Sequence, residues 1–249
     1  MIQIKNAAEL QKMRKACAIS AAALKAGGEA IEPGITTAEI DKIIYDFIVR
    51  HGARPNFLHL YGFPATACIS VNDTVIHGIP SKQQQIRPGD IVSIDTGCKI
   101  DGFNGDNACT YGCGKLDLEA QRLLDVTKES LHRGIEMARG GNRVGDIGHA
   151  VQTYVEENGF SVVRTFVGHG VGKELHEDPE VPNFGKAGHG LRCTRGLVIA
   201  IEPMLNLGAH TVRTLKDGWT VVTADGSLSA HYENTVAITD GDPEILTLL

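Results

Sequence analysis

"GDIVSID", Gly89–Asp95, reads as a glycine turn, an apolar strand and a terminal carboxylate, and the same pattern returns 107 residues later as "GLVIAIE", Gly196–Glu202. Strands this apolar are buried on both faces, so a carboxylate at the end of one is costly unless a cation or hydrogen bonds compensate it. Two such ends at one fixed shift predict a site between two related halves. The shift holds upstream. "PGITTAEIDKIIYDFIVRHGA", Pro33–Ala53, lies over "GGNRVGDIGHAVQTYVEENGF", Gly140–Phe160, with Ile40 on Ile147, Ile44 on Val151, Phe47 on Tyr154, Ile48 on Val155 and the closing Gly52 on Gly159. Apolar residues at that spacing predict an amphipathic helix, and the glycine predicts its end. The amphipathic stretches before them, "KMRKACAISAAALKAGGEAI" and "EAQRLLDVTKESLHRGIEMA", place Ile19 over Val126 and Leu24 over Leu131. Each half therefore opens helix, turn, helix. An α/β (α+β) chain of one domain, residues 1–249, with duplicated halves of about 1–110 and 111–249, is the expectation.

Composition narrows the partners. The chain has 249 residues, 42% of them hydrophobic and 22% charged, with a formal net charge of -6, which disfavours DNA, RNA and anionic membranes as main partners. No stretch approaches the roughly 18 apolar residues of a membrane span, and the opening "MIQIKNAAELQKMRKACAIS" lacks the apolar core of a secretion signal, so a cytoplasmic protein is expected; a monomer is the separate expectation for its oligomeric state. Cys17, Cys68, Cys98, Cys109, Cys113 and Cys193 show no framework spacing; reduced thiols are expected, and the lone C-x3-C of Cys109 and Cys113 lacks the second pair of a zinc site.

The carboxylates and histidines carry the chemistry. After Asp95, "TGCKIDGFNGD" returns through a Gly-containing turn to Asp106, as a hairpin would. Near the C-terminus, "WTVVTADGSLSAHYENTVAI" reads as a second hairpin that turns Glu233 inward. "HGIP" from His77 precedes the first apolar strand as "HEDP" from His176 precedes the second, so imidazoles approach from both sides. Asp95, Asp106, Glu202 and Glu233 with one imidazole, His169, form an oxygen-rich, single-nitrogen donor set suited to a pair of divalent ions. Bare, four such carboxylates do not stay ionised together. In "GHGVG" the crowded glycines suggest close approach of a ligand to the backbone; no Lys-Ser/Thr pair follows, which excludes a phosphate cradle. For "PEVPNFG" the plain alternative is a rigid surface loop, and for Trp219 a core position.

Taken together, "CISVNDTVIHGIP", "SIDTGCKIDGFNGD", "FVGHGVGKELHEDPEVPNFG", "AIEPM" and "KDGWTVVTADGSLSAHYENT" resemble the type I methionine aminopeptidases over essentially the whole chain. The resemblance implies a pita-bread fold, two pseudo-symmetric halves around a curved antiparallel sheet. It also implies two metal ions, Co, Mn, Fe or Zn, held by Asp95, Asp106, His169, Glu202 and Glu233. The implied reaction removes the initiator methionine of nascent polypeptides when the second residue is small, by attack of a metal-activated hydroxide on the first amide carbonyl. Glu202 is implied as ligand and proton shuttle, His176 as oxyanion donor and His77 as partner of the scissile or adjacent amide. Phe57, Leu60, Phe63, Cys68, Leu175 and Trp219 are implied as the methionine pocket. Contact with the ribosome is left open.

Two departures stand out. Where the family commonly has Gln and His flanking the last ligand, this chain has His231 and Asn234; Phe57, Leu60 and Leu175 replace the Cys, Tyr and Phe often found in the pocket. Prolidases and proline-specific aminopeptidases share the core but usually carry a further N-terminal domain, and metal-free binding relatives lose ligands that are all kept here.

Overall fold

Four helices lie against a nine-stranded antiparallel sheet in the computed structural model, which describes residues 2–248. Helices α1 (Ala7–Glu29) and α2 (Thr37–Arg50) precede the first long hairpin, and α3 (Leu118–Met137) and α4 (Val144–Glu157) precede the second group of strands. Their starts follow from capping chemistry, because the first N–H groups of a helix have no partner within it. Asn6 accepts from the N–H of Ala8 and Glu9, Thr36 and Glu39 pair reciprocally, and Asp117 accepts from Ala120. At α4 the contact runs backwards: Asp146 accepts from the Arg143 N–H at 2.7 Å. Helices α2 and α4 have 14 residues each, and their bounds coincide at the shift of 107.

The hairpin expected from Asp95 to Asp106 is present. Strand Ile91–Ile100 pairs with Phe103–Gly112 in unbroken register from Ile91↔Gly112 to Ile100↔Phe103. Its two-residue turn, Asp101 and Gly102, has φ of 53° and 84°, as a type I′ turn requires. Across the sheet the order is Arg54–Pro55, Ile91–Ile100, Phe103–Gly112, Glu233–Ala237, Val198–Ile201, Gly168–Gly170 and Glu177–Val181, with Ala67–Val71 beside the first long strand and Glu244–Ile245 beside Glu233–Ala237.

Two apolar clusters fasten the helices to this sheet. Ile40, Ile44 and Ile48 of α2 pack with Ile69 and Ile94; Leu123 and Leu131 of α3 and Ile147, Val151 and Val155 of α4 pack with Ile199 and Ile201. Successive side chains of a strand point to opposite faces. With Ile94 turned to α2, Asp95 faces the other way, and the same alternation separates Ile201 from Glu202. The result is the pita-bread frame, with carboxylates projecting from the side of the sheet away from those clusters. Among the described residues no helix is long and apolar enough to cross a membrane.

Candidate metal centre

Strand register brings the acidic side chains together. Asp95 lies opposite Ala108, and Ala108 lies opposite Glu233 on its other side, so the two carboxylates flank a single methyl group across three adjacent strands. Asp106, two residues from Ala108, projects from the same face. Asn234 pairs with Ile201, which sets Glu202 beside Glu233 one step further on. Strand Gly168–Gly170, joined through Gly170↔Ile199, supplies His169. Five elements thus present the five expected donors to one place.

Distances agree with the register. His169 Nε2 is 3.7 Å from Asp106 Oδ2 and 3.6 Å from Glu202 Oε1, and Asp106, His169 and Glu233 offer donor atoms that all lie within 4.8 Å of one another. His169 Nδ1 contacts the Gly170 carbonyl at 2.9 Å, an arrangement that places the proton on Nδ1 and leaves Nε2 its lone pair. Asp95 Oδ1, Asp106 Oδ1 and Glu233 Oε1 are buried without a hydrogen-bond partner. Buried oxygens are rarely left so. Together with the small Ala108 at the centre of the cluster, these orphaned acceptors fit divalent cations.

Electrostatics give the same answer. Burial, reinforced by the neighbouring carboxylates, raises the pKa of Asp95, Glu202 and Glu233 well above the usual range, and burial raises that of Asp106 to about 7. Burial lowers those of His77 and His169 to about 4 and that of His231 to about 3. The two groups act on stability in different windows. Histidines with depressed pKa values cost stability as pH falls below about 6.5, where the unfolded chain takes up their protons. Carboxylates with raised values cost stability as pH rises, because the folded state must release protons that the unfolded chain has already lost. Between about pH 7 and pH 8 the histidines are neutral in both states and the carboxylates set the slope; above that the thiols of Cys17, Cys68, Cys98, Cys109 and Cys193, also raised by burial, add to it as the unfolded thiols ionise. Protein stripped of metal by a chelator is therefore expected to melt at progressively lower temperature from pH 7 to pH 8, and added divalent ion is expected to remove most of that slope. Calorimetric scans with and without ion check both.

Beside the carboxylates opens a cavity of about 550 Å³ lined by Phe57, Leu60, Phe63, Cys68 and Trp219 together with the expected ligands. Trp219 packs edge-on to Phe63 at 5.2 Å. Leu175 belongs to the same apolar cluster, packing with Phe57, Phe63 and Cys68. His77 enters from a left-handed backbone conformation, φ 58°, and its ring contacts Phe166 and Trp219 edge-on. His176 stands at the mouth, perpendicular to His169 with ring centres 4.5 Å apart and stacked on Tyr61. Next to it, Glu177 is held by Lys5 at 2.6 Å in a buried ion pair, which ties the N-terminal segment to the strand following His176.

Several features differ from the sequence reading. A Cβ on Gly168 would lie 2.3 Å from the Ala200 carbonyl oxygen, and one on Gly170 2.3 Å from that of Asp178. These glycines make room for neighbouring strands and not for a ligand. Within "PEVPNFG", Val181 and Asn183 are fully buried, and Asn183 Nδ2 donates to the Glu202 carbonyl at 3.0 Å, so the stretch braces Glu202 and the surface-loop alternative falls. Tyr61, Ile76 and Phe166 also line the cavity. Among the described residues Cys109 and Cys113 join no metal-ligating cluster, and all six cysteines are free.

The fold and its acidic cavity define a class: the chain belongs to metallopeptidase family M24, which it matches over residues 11–240. It is 56% identical over 249 residues to the methionine aminopeptidase of Clostridium perfringens (strain 13 / Type A), each chain covered completely. It is 48% identical to methionine aminopeptidase 1 of Bacillus subtilis (strain 168) over 247 residues, 99% of either chain. The crystal structure of methionine aminopeptidase from Thermotoga maritima superposes with a TM-score of 0.98 at 42% identity, covering both chains fully. The prolidase of Pyrococcus furiosus, at 24% identity and a TM-score of 0.80 over 99% of this chain and 65% of its own, shares the fold.

Proposed function

We propose that the protein is a methionyl aminopeptidase that removes the initiator methionine from nascent polypeptides and peptides whose second residue is small, using two divalent ions held by Asp95, Asp106, His169, Glu202 and Glu233. The observation that carries this reading is the meeting of five donors from five elements at the polar end of a cavity whose remaining wall is apolar. Membership of a metallopeptidase family supports metal use; the number and kind of ions here rest on the donor set, whose oxygens and single imidazole suit Mn, Fe, Co or Zn. When bound, such ions supply a water acidified enough to attack an amide near neutral pH and polarise the carbonyl it attacks.

The residues do the rest. Glu202 takes the proton of the attacking water and delivers it to the amide nitrogen as the C–N bond breaks, so one water is consumed and a free amine leaves. His176, at the cavity mouth, donates to the carbonyl oxygen as negative charge gathers on it. His77, its ring in edge contact with both Phe166 and Trp219, holds the neighbouring amide. The wall of Phe57, Leu60, Phe63, Cys68 and Trp219, packed against Leu175, accepts the unbranched thioether side chain by burial alone. The chain acts as one catalytic unit, with duplicated halves that meet at the centre, and its six free cysteines support a cytoplasmic enzyme.

His176→Ala is expected to lower kcat on the order of 100-fold while KM changes little, because an oxyanion donor acts mainly in the tetrahedral state. Steady-state kinetics on Met-Ala-Ser check it, and a pure rise in KM would make His176 a substrate-positioning group. The function itself is tested by release of free methionine from the same peptide by purified protein; no release with any of the four ions sinks the proposal.

A further inference from the structure

His231 is the one buried imidazole at the centre that the chemistry above does not use. It ends the strand Ser229–His231, which pairs with Met204–Asn206 in the register Met204↔His231, two residues beyond Glu202. Its backbone is pinned on both sides by one hydroxyl: Thr110 Oγ1 accepts from the His231 N–H and lies 2.9 Å from the His231 carbonyl, to which it donates. The residue is only 1% exposed, and Nε2 has no hydrogen-bond partner. An unpaired ring nitrogen at that depth is costly and calls for a partner. The facing acceptor is Glu202. Its Oε2 lies 3.9 Å from His231 Nε2, while its Oε1 lies 3.6 Å from His169 Nε2. The two oxygens of one carboxylate thus face two different imidazoles.

We propose that His231 is a positioning residue for Glu202: its Nε2–H holds Oε2, which keeps Oε1 turned towards His169 and the ion-binding cavity. Closing the gap takes a side-chain movement of about 1 Å, and hydrogen bonds around reacting groups commonly tighten by such amounts in the working complex. His231 completes a clamp already half visible, since Asn183 Nδ2 donates to the Glu202 main-chain carbonyl at 3.0 Å. The inference rests on the reading of Glu202 as a ligand.

Calorimetric titration of the chelator-stripped full chain with Mn(II) tests it without any turnover. His231→Leu, which removes the donor, is expected to weaken ion binding by about 10–100-fold, the usual cost of losing a group that orients a ligand. His231→Gln, which keeps an N–H within reach, is expected to bind within about 3-fold of the parent on the same scale. In a Glu202→Gln background the His231→Leu change is expected to add nothing, since a residue acting through another is non-additive with it. His231→Asn, with a shorter amide, takes the place of the Leu variant should that fail to fold. Parental affinity in His231→Leu overturns the proposal. So does equal loss in the Leu and Gln variants, which would make the ring itself a ligand, and so does full additivity with Glu202→Gln. A parent chain that binds no ion overturns the metal reading first, and is distinguished by showing no isotherm in any variant.

Discussion

Asp106→Asn and His169→Ala are each expected to lower turnover of Met-Ala-Ser by more than about 1,000-fold while the chain keeps a single cooperative melt, a loss well beyond the 10–100-fold typical of outer partners. Asp106 sits where the cluster is densest: its Oδ2 lies 3.7 Å from His169 Nε2, and its Oδ1 is buried without a partner. An amide at that position offers a neutral oxygen and turns N–H donors towards an acidic neighbourhood, so the ion is lost or displaced. His169 is the only nitrogen in the set, and Ala leaves no donor at that point. Neither change opens the helix–sheet clusters, because both side chains face the cavity and not Ile94, Ile199 or Ile201. Kinetics paired with thermal melts check the pair, and near-normal activity in either variant would remove that residue from the centre.

The second large effect concerns the substrate. Met-Ala peptides are expected to be cleaved at least about 100-fold faster than Met-Ile peptides, since a scissile bond displaced by roughly 1 Å loses about that much. In the proposed reaction the first carbonyl reaches the polar end beside Glu202 and His169 while the methionine side chain lies along Phe63 and Trp219. The next side chain is then pressed towards His77 and His176. His77 has little freedom to yield, with its backbone at φ 58° and its ring in edge contact with both Phe166 and Trp219. A branched residue therefore moves the bond away from the donors. Parallel assays of the two peptides decide the matter, and equal rates on both would refute the steric gate.

Much of this centre could be read from residues alone, for physical reasons. A carboxylate ending an apolar strand is conspicuous because burial penalises it, and Asp95 and Glu202 announce themselves twice through the repeat. Asp101-Gly102 could be read as a tight turn, which put Asp106 back beside Asp95. What escaped was what only strand register reveals. Ala108 has no chemistry in sequence, yet its position between Asp95 and Glu233 makes the space. Gly168 and Gly170 looked like ligand-binding glycines, but neighbouring carbonyls fill the room that their missing Cβ atoms leave. Asn183 sat in a stretch whose prolines suggested a surface loop, and only its burial and its bond to the Glu202 carbonyl expose its role. Tyr61 and Phe166 carry no spacing signal, because they reach the cavity from irregular segments.

In the proposed mechanism five donors from five elements hold divalent ions without which the amide is not cleaved. Metal content and methionine release, measured on the same chelator-stripped full chain as divalent ion is added back, test it most directly. Stripped protein is expected to release no methionine from Met-Ala-Ser, and activity is expected to return in step with bound ion up to two equivalents per chain. Undiminished hydrolysis by protein verified to be metal-free would contradict it.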